Sequence, residues 1–204
     1  MDILPIRNEL RRSVCFKSTI KRESSMKLKA LLFSINFVGL CLTTAVAADT
    51  NKPENLNDLE IAHVAYTADN IDIRYAHLAL AISENPAIHA FANTMIRDHH
   101  AVNQQALALL EKLQVAPVDN FLSQQLVEGS IALVDEMKLL SGSNFDKRYA
   151  ENELAYHRAV NELVENAFIP NIENAEVKAL FEQGLAIFKM HEKHAETMVA
   201  SLSE

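Results

Sequence analysis

Between Leu56 and its last residues the chain carries almost nothing that would interrupt a helix: three glycines (129, 142, 184) and three prolines (86, 117, 170). Apolar residues recur there every three or four positions, and no run of useful length alternates with strand period. Helix one is expected from about Leu56 to Ser83, with Leu56, Val64, Ala68, Ile71, Tyr75, Leu78 and Ile82 as its apolar stripe. Asn85-Pro86 reads as an N-cap followed by proline at the first helical position, so a new helix starts at once. That second helix is expected to reach about Val115, with Ile88, Phe91, Ala92, Met95, Val102, Leu107 and Leu110 inward and Ala116-Pro117 as its stop. A shorter amphipathic segment, Phe121 to Leu140, precedes the break at Ser141–Asn144. Helix three then spans about Phe145 to Phe168, and helix four about Glu173 to Leu202. Four long helices and one shorter linking helix make an all-α four-helix bundle with a crossover.

The N-terminal part reads differently. Met26-Lys27-Leu28-Lys29 is a short basic start, Ala30 to Leu42 is apolar apart from Ser34 and Asn36, and Ala45-Val46-Ala47 has the small-x-small pattern of a cleavage site. The apolar run is short of the roughly 20 residues that a spanning helix needs. The expectation is a signal peptide cleaved after Ala47, a periplasmic or secreted product, and no integral membrane span thereafter. Residues 1–25 lie upstream of a second methionine, as an over-extended start would. Leu40, before Cys41, is not the small residue that lipid attachment favours. Residues 48–55 would form a loose leader and residues 56–204 the bundle.

Removing residues 1–47 takes away 8 of the 19 basic residues and 3 of the 27 acidic ones, leaving a body of formal charge −13. Such a surface repels nucleic acid and anionic lipid and tolerates cations. Both cysteines, Cys15 and Cys41, go with the removed part, so neither disulfide nor thiolate ligand is expected. Gly-x-Ser-x-Gly elbows and nucleotide-binding glycine loops are absent from the sequence.

The chemistry-bearing residues sit inside the expected helices. With helices one and two antiparallel about Asn85, Asp72 lies about 13 residues before the turn and Asp98-His99 about 13 after it, which brings them level at 1.5 Å per residue. If the linker carries the chain back along the bundle, His157 falls about 12 residues into helix three, with Glu153 one turn before it on the same face. His191, on the returning helix four, then reaches the same zone. Asp72, Asp98, His99, Glu153, His157 and His191 are the expected cluster, and imidazole with carboxylate suits a divalent transition metal: Fe, Zn, Mn or Cu. The competing reading of each is a solvated helix residue. Glu60-x-x-His63 has the spacing of di-iron bundles, but it sits far from this zone and has no second copy, so chance or a surface pair explains it. His77, His89 and His100 read as surface residues, and the four tyrosines as packing residues with a wet hydroxyl.

Several segments together resemble a known family. These are Asn70-Ile71-Asp72; Asn85-Pro86-x-Ile88-x-x-Phe91-Ala92-x-x-Met95-x-x-Asp98-His99-x-x-x-Asn103; and Ser141-Gly142-x-x-Phe145-Asp146-x-x-Tyr149 followed by His157. With Leu185 to His191 they resemble the ferritin-like "domain of unknown function 4142" of exported bacterial proteins. Asp72 stands where that family usually has Glu, and Ala186 where it has proline. The resemblance implies a ferritin-like bundle in the periplasm or envelope, with no settled activity or substrate.

Two functions follow as expectations. One is an exported helical bundle that binds a transition metal through the Asp/Glu/His cluster. The other is a non-catalytic structural or interaction protein of the envelope, whose buried Asp–His pairs satisfy one another and fix helix register. The pair of mid-helix Glu-x-x-His motifs that a di-iron oxidase requires is missing. The oligomeric state is not encoded in any feature of the sequence.

Overall fold

The computed structural model describes residues 51–203; the expected signal segment and its cleavage point after Ala47 lie outside them. The described residues are helical with short connections and contain no strand. After a 3-10 turn at Pro53–Asn55 come α1 (Asp58–Ile82), α2 (Pro86–Lys112), α3 (Phe121–Met137), α4 (Gly142–Leu163), a π turn (Val164–Phe168), the single-turn α5 (Ile169–Asn171) and α6 (Ala175–Ser201). No helix among them is long and apolar enough to cross a membrane.

The starts of four long helices are written by asparagine. Asn57 accepts from the backbone of Leu59 and Glu60 while Glu60 reaches back to the Asn57 N–H, closing a capping box. Asn85 caps α2 with Pro86 behind it, Asn120 caps α3, and Asn174 caps α6. Glu60 is thus spent on a cap and His63 lies 3.7 Å from Asp119, so the Glu-x-x-His spacing in α1 is a local matter. α2 ends earlier than Ala116-Pro117. Gln114 adopts φ +55°, and the Gln114 and Val115 N–H groups return to Glu111 and Leu110, which is a Schellman stop made without glycine.

Hydrogen bonds between elements set the direction of each helix. The turn at Ser83–Asn85 makes α1 and α2 antiparallel. The chain then returns to the start of α1, where Val118 N–H meets the Leu59 carbonyl and Asn120 Nδ2 donates to the Glu60 carbonyl. α3 runs alongside α1, where Arg74 donates to Ser130 Oγ at 2.6 Å. α4 therefore begins at the far end of α1, where Ser83 Oγ donates to the buried carboxylate of Asp146 at 2.6 Å. Tyr156 Oη donates to the Ala68 carbonyl farther along. Asp58 accepts from the Glu173 and Asn174 N–H groups, which anchors the start of α6 at the opposite end. α4 is parallel to α2 and α6 returns against it, which is the crossover arrangement on which the common level depends.

Two apolar clusters fill the bundle. One contains Ile71, Tyr75, Ile88, Phe91, Met95, Phe145, Tyr149 and Met198; the other contains Leu56, Ile61, Val64, Val164, Phe168, Ile172 and Val177. Between them, in sequence order on every long bundle helix, lies a layer of buried polar residues. Leu107 departs from expectation: it is 45% exposed. Along α2 the buried seam passes through His99, Asn103 and Leu110, and at the turn between them Ala106 lines the interior while Leu107 is rotated outward.

Candidate metal centre

Each wall of the polar layer comes from a different helix. α1 contributes Asp69 and Asp72, α2 His99 and Asn103, α4 Glu153, His157 and Asn161, and α6 His191. The spacing explains the shared faces: Asp69 and Asp72 are three apart, His99 and Asn103 four, Glu153, His157 and Asn161 four each. Asp72 and Glu153 are fully buried, and the three histidines are at most 4% exposed.

The rings of His99, His157 and His191 form a near-equilateral triangle, with centroids 5.8, 5.4 and 5.5 Å apart. One nitrogen from each lies within 4.8 Å of the others, and the same is true of ligand atoms from Asp72, Glu153 and His157. The hydrogen bonds on the outer edges fix which nitrogens are free. His157 Nδ1 is 2.9 Å from the Glu153 carbonyl, which accepts only, so Nδ1 carries the hydrogen and Nε2 keeps its lone pair. His191 Nε2 is 2.9 Å from Asp98 Oδ2, so Nε2 carries the hydrogen and Nδ1 keeps its lone pair. Both lone pairs are buried and meet no donor from the protein. Phe188 stacks on His99 at 4.7 Å and closes one side of the triangle.

His99 is held otherwise. Its Nδ1 is 2.7 Å from Asp69 Oδ1 and its Nε2 is 2.9 Å from Asp72 Oδ2. Burial works to lower this imidazole, but the two carboxylates outweigh it and lift the group to about 10. Burial would likewise raise Asp72, yet His99 overrides it and holds the carboxyl below its usual range. Asp69 moves up, because its burial exceeds the help it gets from His99. Burial, with the Asp72 charge beside it, pushes the Glu153 carboxyl well above the usual carboxyl value. Burial lowers His157, and lowers His191 to about 4, so both are neutral. At pH 7 the layer balances an imidazolium at His99 against its aspartates and presents two neutral imidazoles beside them.

Of the six residues singled out in the sequence, the structure brings five together: Asp72, His99, Glu153, His157 and His191. Asp98 sits at the rim, 23% exposed in its side chain, where it accepts from Arg97 and holds His191 from outside. Asp69 escaped the sequence reading, although its place one turn before Asp72 on the same face was a usable signal. His194 is exposed and packs its ring on Phe91, outside the triangle. A metal fits this donor set on structural grounds. Two buried imidazole lone pairs without donors are costly to leave bare, and a carboxylate pair adjoins them.

Comparison with known proteins agrees with this architecture. The model of the family described as "Domain of unknown function (DUF4142)" matches residues 42–198, and the chain belongs to that family. Among solved structures, one described as "CopM in the Cu(II)-bound form" is similar, with a TM-score of 0.57 at 13% identity, covering 72% of this chain and 97% of that one. At that identity the likeness is one of fold. No curated protein matches the sequence.

Proposed function

For this member of the DUF4142 family, we propose that the polar layer binds a divalent transition metal and that the protein handles such a metal in the periplasm or envelope. One observation carries the reading: three imidazoles from three helices converge within 4.8 Å, two of them neutral with buried lone pairs that no protein donor reaches. His99, His157 and His191 would hold the ion, with Asp72 and Glu153 as the adjoining carboxylates. Asp69, behind His99, and Asp98, behind His191, would orient the imidazoles, as carboxylates outside a metal centre commonly do. Bound there, the ion would supply a fixed positive charge where His99 now keeps a proton.

An all nitrogen and oxygen donor set follows the general order of divalent affinities, in which Cu(II) exceeds Zn(II) and both exceed Fe(II) and Mn(II). Cu(II) is accordingly the ion expected to bind most tightly. The Cu(II)-bound state of the similar bundle, CopM, supports that choice. Export rests on the basic start, apolar run and Ala45-Val46-Ala47 of the sequence. Elemental analysis of the protein purified without chelators from its native compartment tests the reading. About one equivalent of transition metal is expected, and a metal-free protein that also refuses Cu(II) in vitro would overturn it.

A second reading has its own observation. Asp69 and Asp72 flank the two nitrogens of His99 at 2.7 and 2.9 Å, an ionic triad that needs no metal. On that reading the layer fixes helix register. The two differ over His157 and His191, whose free lone pairs the structural reading leaves unexplained.

A further inference from the structure

The polar layer contains two donor sets, and they compete for one nitrogen. The first is the histidine triangle. The second is Asp72, Glu153 and His157, whose ligand atoms also lie within 4.8 Å of one another. All three side chains are buried. Asp72 Oδ1, both Glu153 oxygens and His157 Nε2 have no hydrogen-bond partner. Because His157 Nδ1 is committed to the Glu153 carbonyl, Nε2 is the single nitrogen that His157 can offer to either set.

The two sets make different demands on His99. An ion in the triangle needs a His99 nitrogen, but Nδ1 already meets Asp69 at 2.7 Å and Nε2 meets Asp72 Oδ2 at 2.9 Å. Filling the triangle therefore displaces one of those carboxylates. An ion among Asp72, Glu153 and His157 leaves both contacts in place, since Asp72 can hold His99 through Oδ2 and the ion through Oδ1. Two carboxylates with one imidazole also make a harder donor set than three imidazoles, and carboxylate oxygen suits Mn(II). We propose that Asp72, Glu153 and His157 form a second ion position, which takes an oxygen-preferring divalent ion of the Mn(II) type, and that this position and the triangle are filled one at a time. The inference rests on the reading of the layer as a metal centre and adds a choice between ions, made at His157.

The test uses metal-free protein with Mn(II) and Cu(II) as probes, read by calorimetry and by the loss of the free Mn(II) electron paramagnetic resonance signal. Mn(II) is expected to bind saturably at one equivalent. One equivalent of Cu(II) should then release it, because His157 Nε2 serves a single ion; this step needs no variant. Glu153→Gln, nearly isosteric, should weaken Mn(II) about tenfold more than Cu(II), and His191→Ala should weaken Cu(II) about tenfold more than Mn(II). Circular dichroism confirms that each variant is folded. No saturable Mn(II) binding at millimolar concentration, Mn(II) retained beside one equivalent of Cu(II), or the same loss of both ions in each folded variant would overturn the proposal. A wild type that binds Mn(II) with the Glu153→Gln loss but refuses Cu(II) would support this position while overturning the histidine triangle.

Discussion

At the scale of single residues, the protonation of His99 is the feature with the widest consequences. Its folded value of about 10 lies above the roughly 6.5 of an unfolded histidine, so its contribution to stability is complete below pH 6.5 and is lost as pH rises toward 10. Glu153, raised by burial, loses stability in the same direction as it is forced to ionise. The melting temperature of the metal-free protein should therefore fall between about pH 6.5 and 10. His99→Gln should flatten that slope; an equally steep slope in the variant would place the titrating group elsewhere. The same proton predicts linkage, since an imidazole ligand must be deprotonated. Metal binding near pH 7 should release about one proton or more, read as a dependence of calorimetric heat on buffer ionisation enthalpy. Asp98→Ala, which leaves the triangle intact but frees His191, should weaken metal binding about 10–100-fold. Asp98 was legible in the sequence as a neighbour of His99, but its distance from the interior was not. Adjacent helix residues point about 100° apart, and only packing decides which of them faces in.

At the scale of elements, the helices follow from caps and period, and the departures have local causes. Asn85 and Pro86 made the start of α2 readable, whereas the end of α2 depends on Gln114 taking a left-handed conformation that its residue type does not announce. Gln114→Gly should relieve that conformation and stabilise the protein by about 0.5–1 kcal/mol, measured by urea unfolding. The buried face of α4 mixes Phe145, Tyr149 and Ala150 with Asp146, Glu153, His157 and Asn161. A hydrophobicity pattern cannot mark a face whose inward residues are polar. Phe91, fully buried beside Tyr149 and His157, sits at the junction of core and polar layer. Phe91→Ala should cost about 3–5 kcal/mol, and a loss below about 1 kcal/mol would contradict its place in the core.

At the scale of the whole molecule, the crossover is what assembles the layer. Because α3 carries the chain back along α1, α4 runs parallel to α2, and His157 meets His99 and, from the returning α6, His191. The level of these residues could be counted from the turn at Asn85; their rotation inward could not. Two apolar clusters flank the layer, so the bundle keeps a core even if the imidazoles are removed. That separation makes one measurement decisive for the claim that the layer is a metal centre: calorimetric titration of Cu(II) into the wild type and into the double variant His99→Ala/His157→Ala, with helical content followed by circular dichroism. The account predicts saturable one-to-one binding at micromolar or tighter affinity in the wild type, and its loss in a double variant that stays helical. A wild type that binds no Cu(II) at micromolar concentration, or a double variant that binds it equally well, would contradict it.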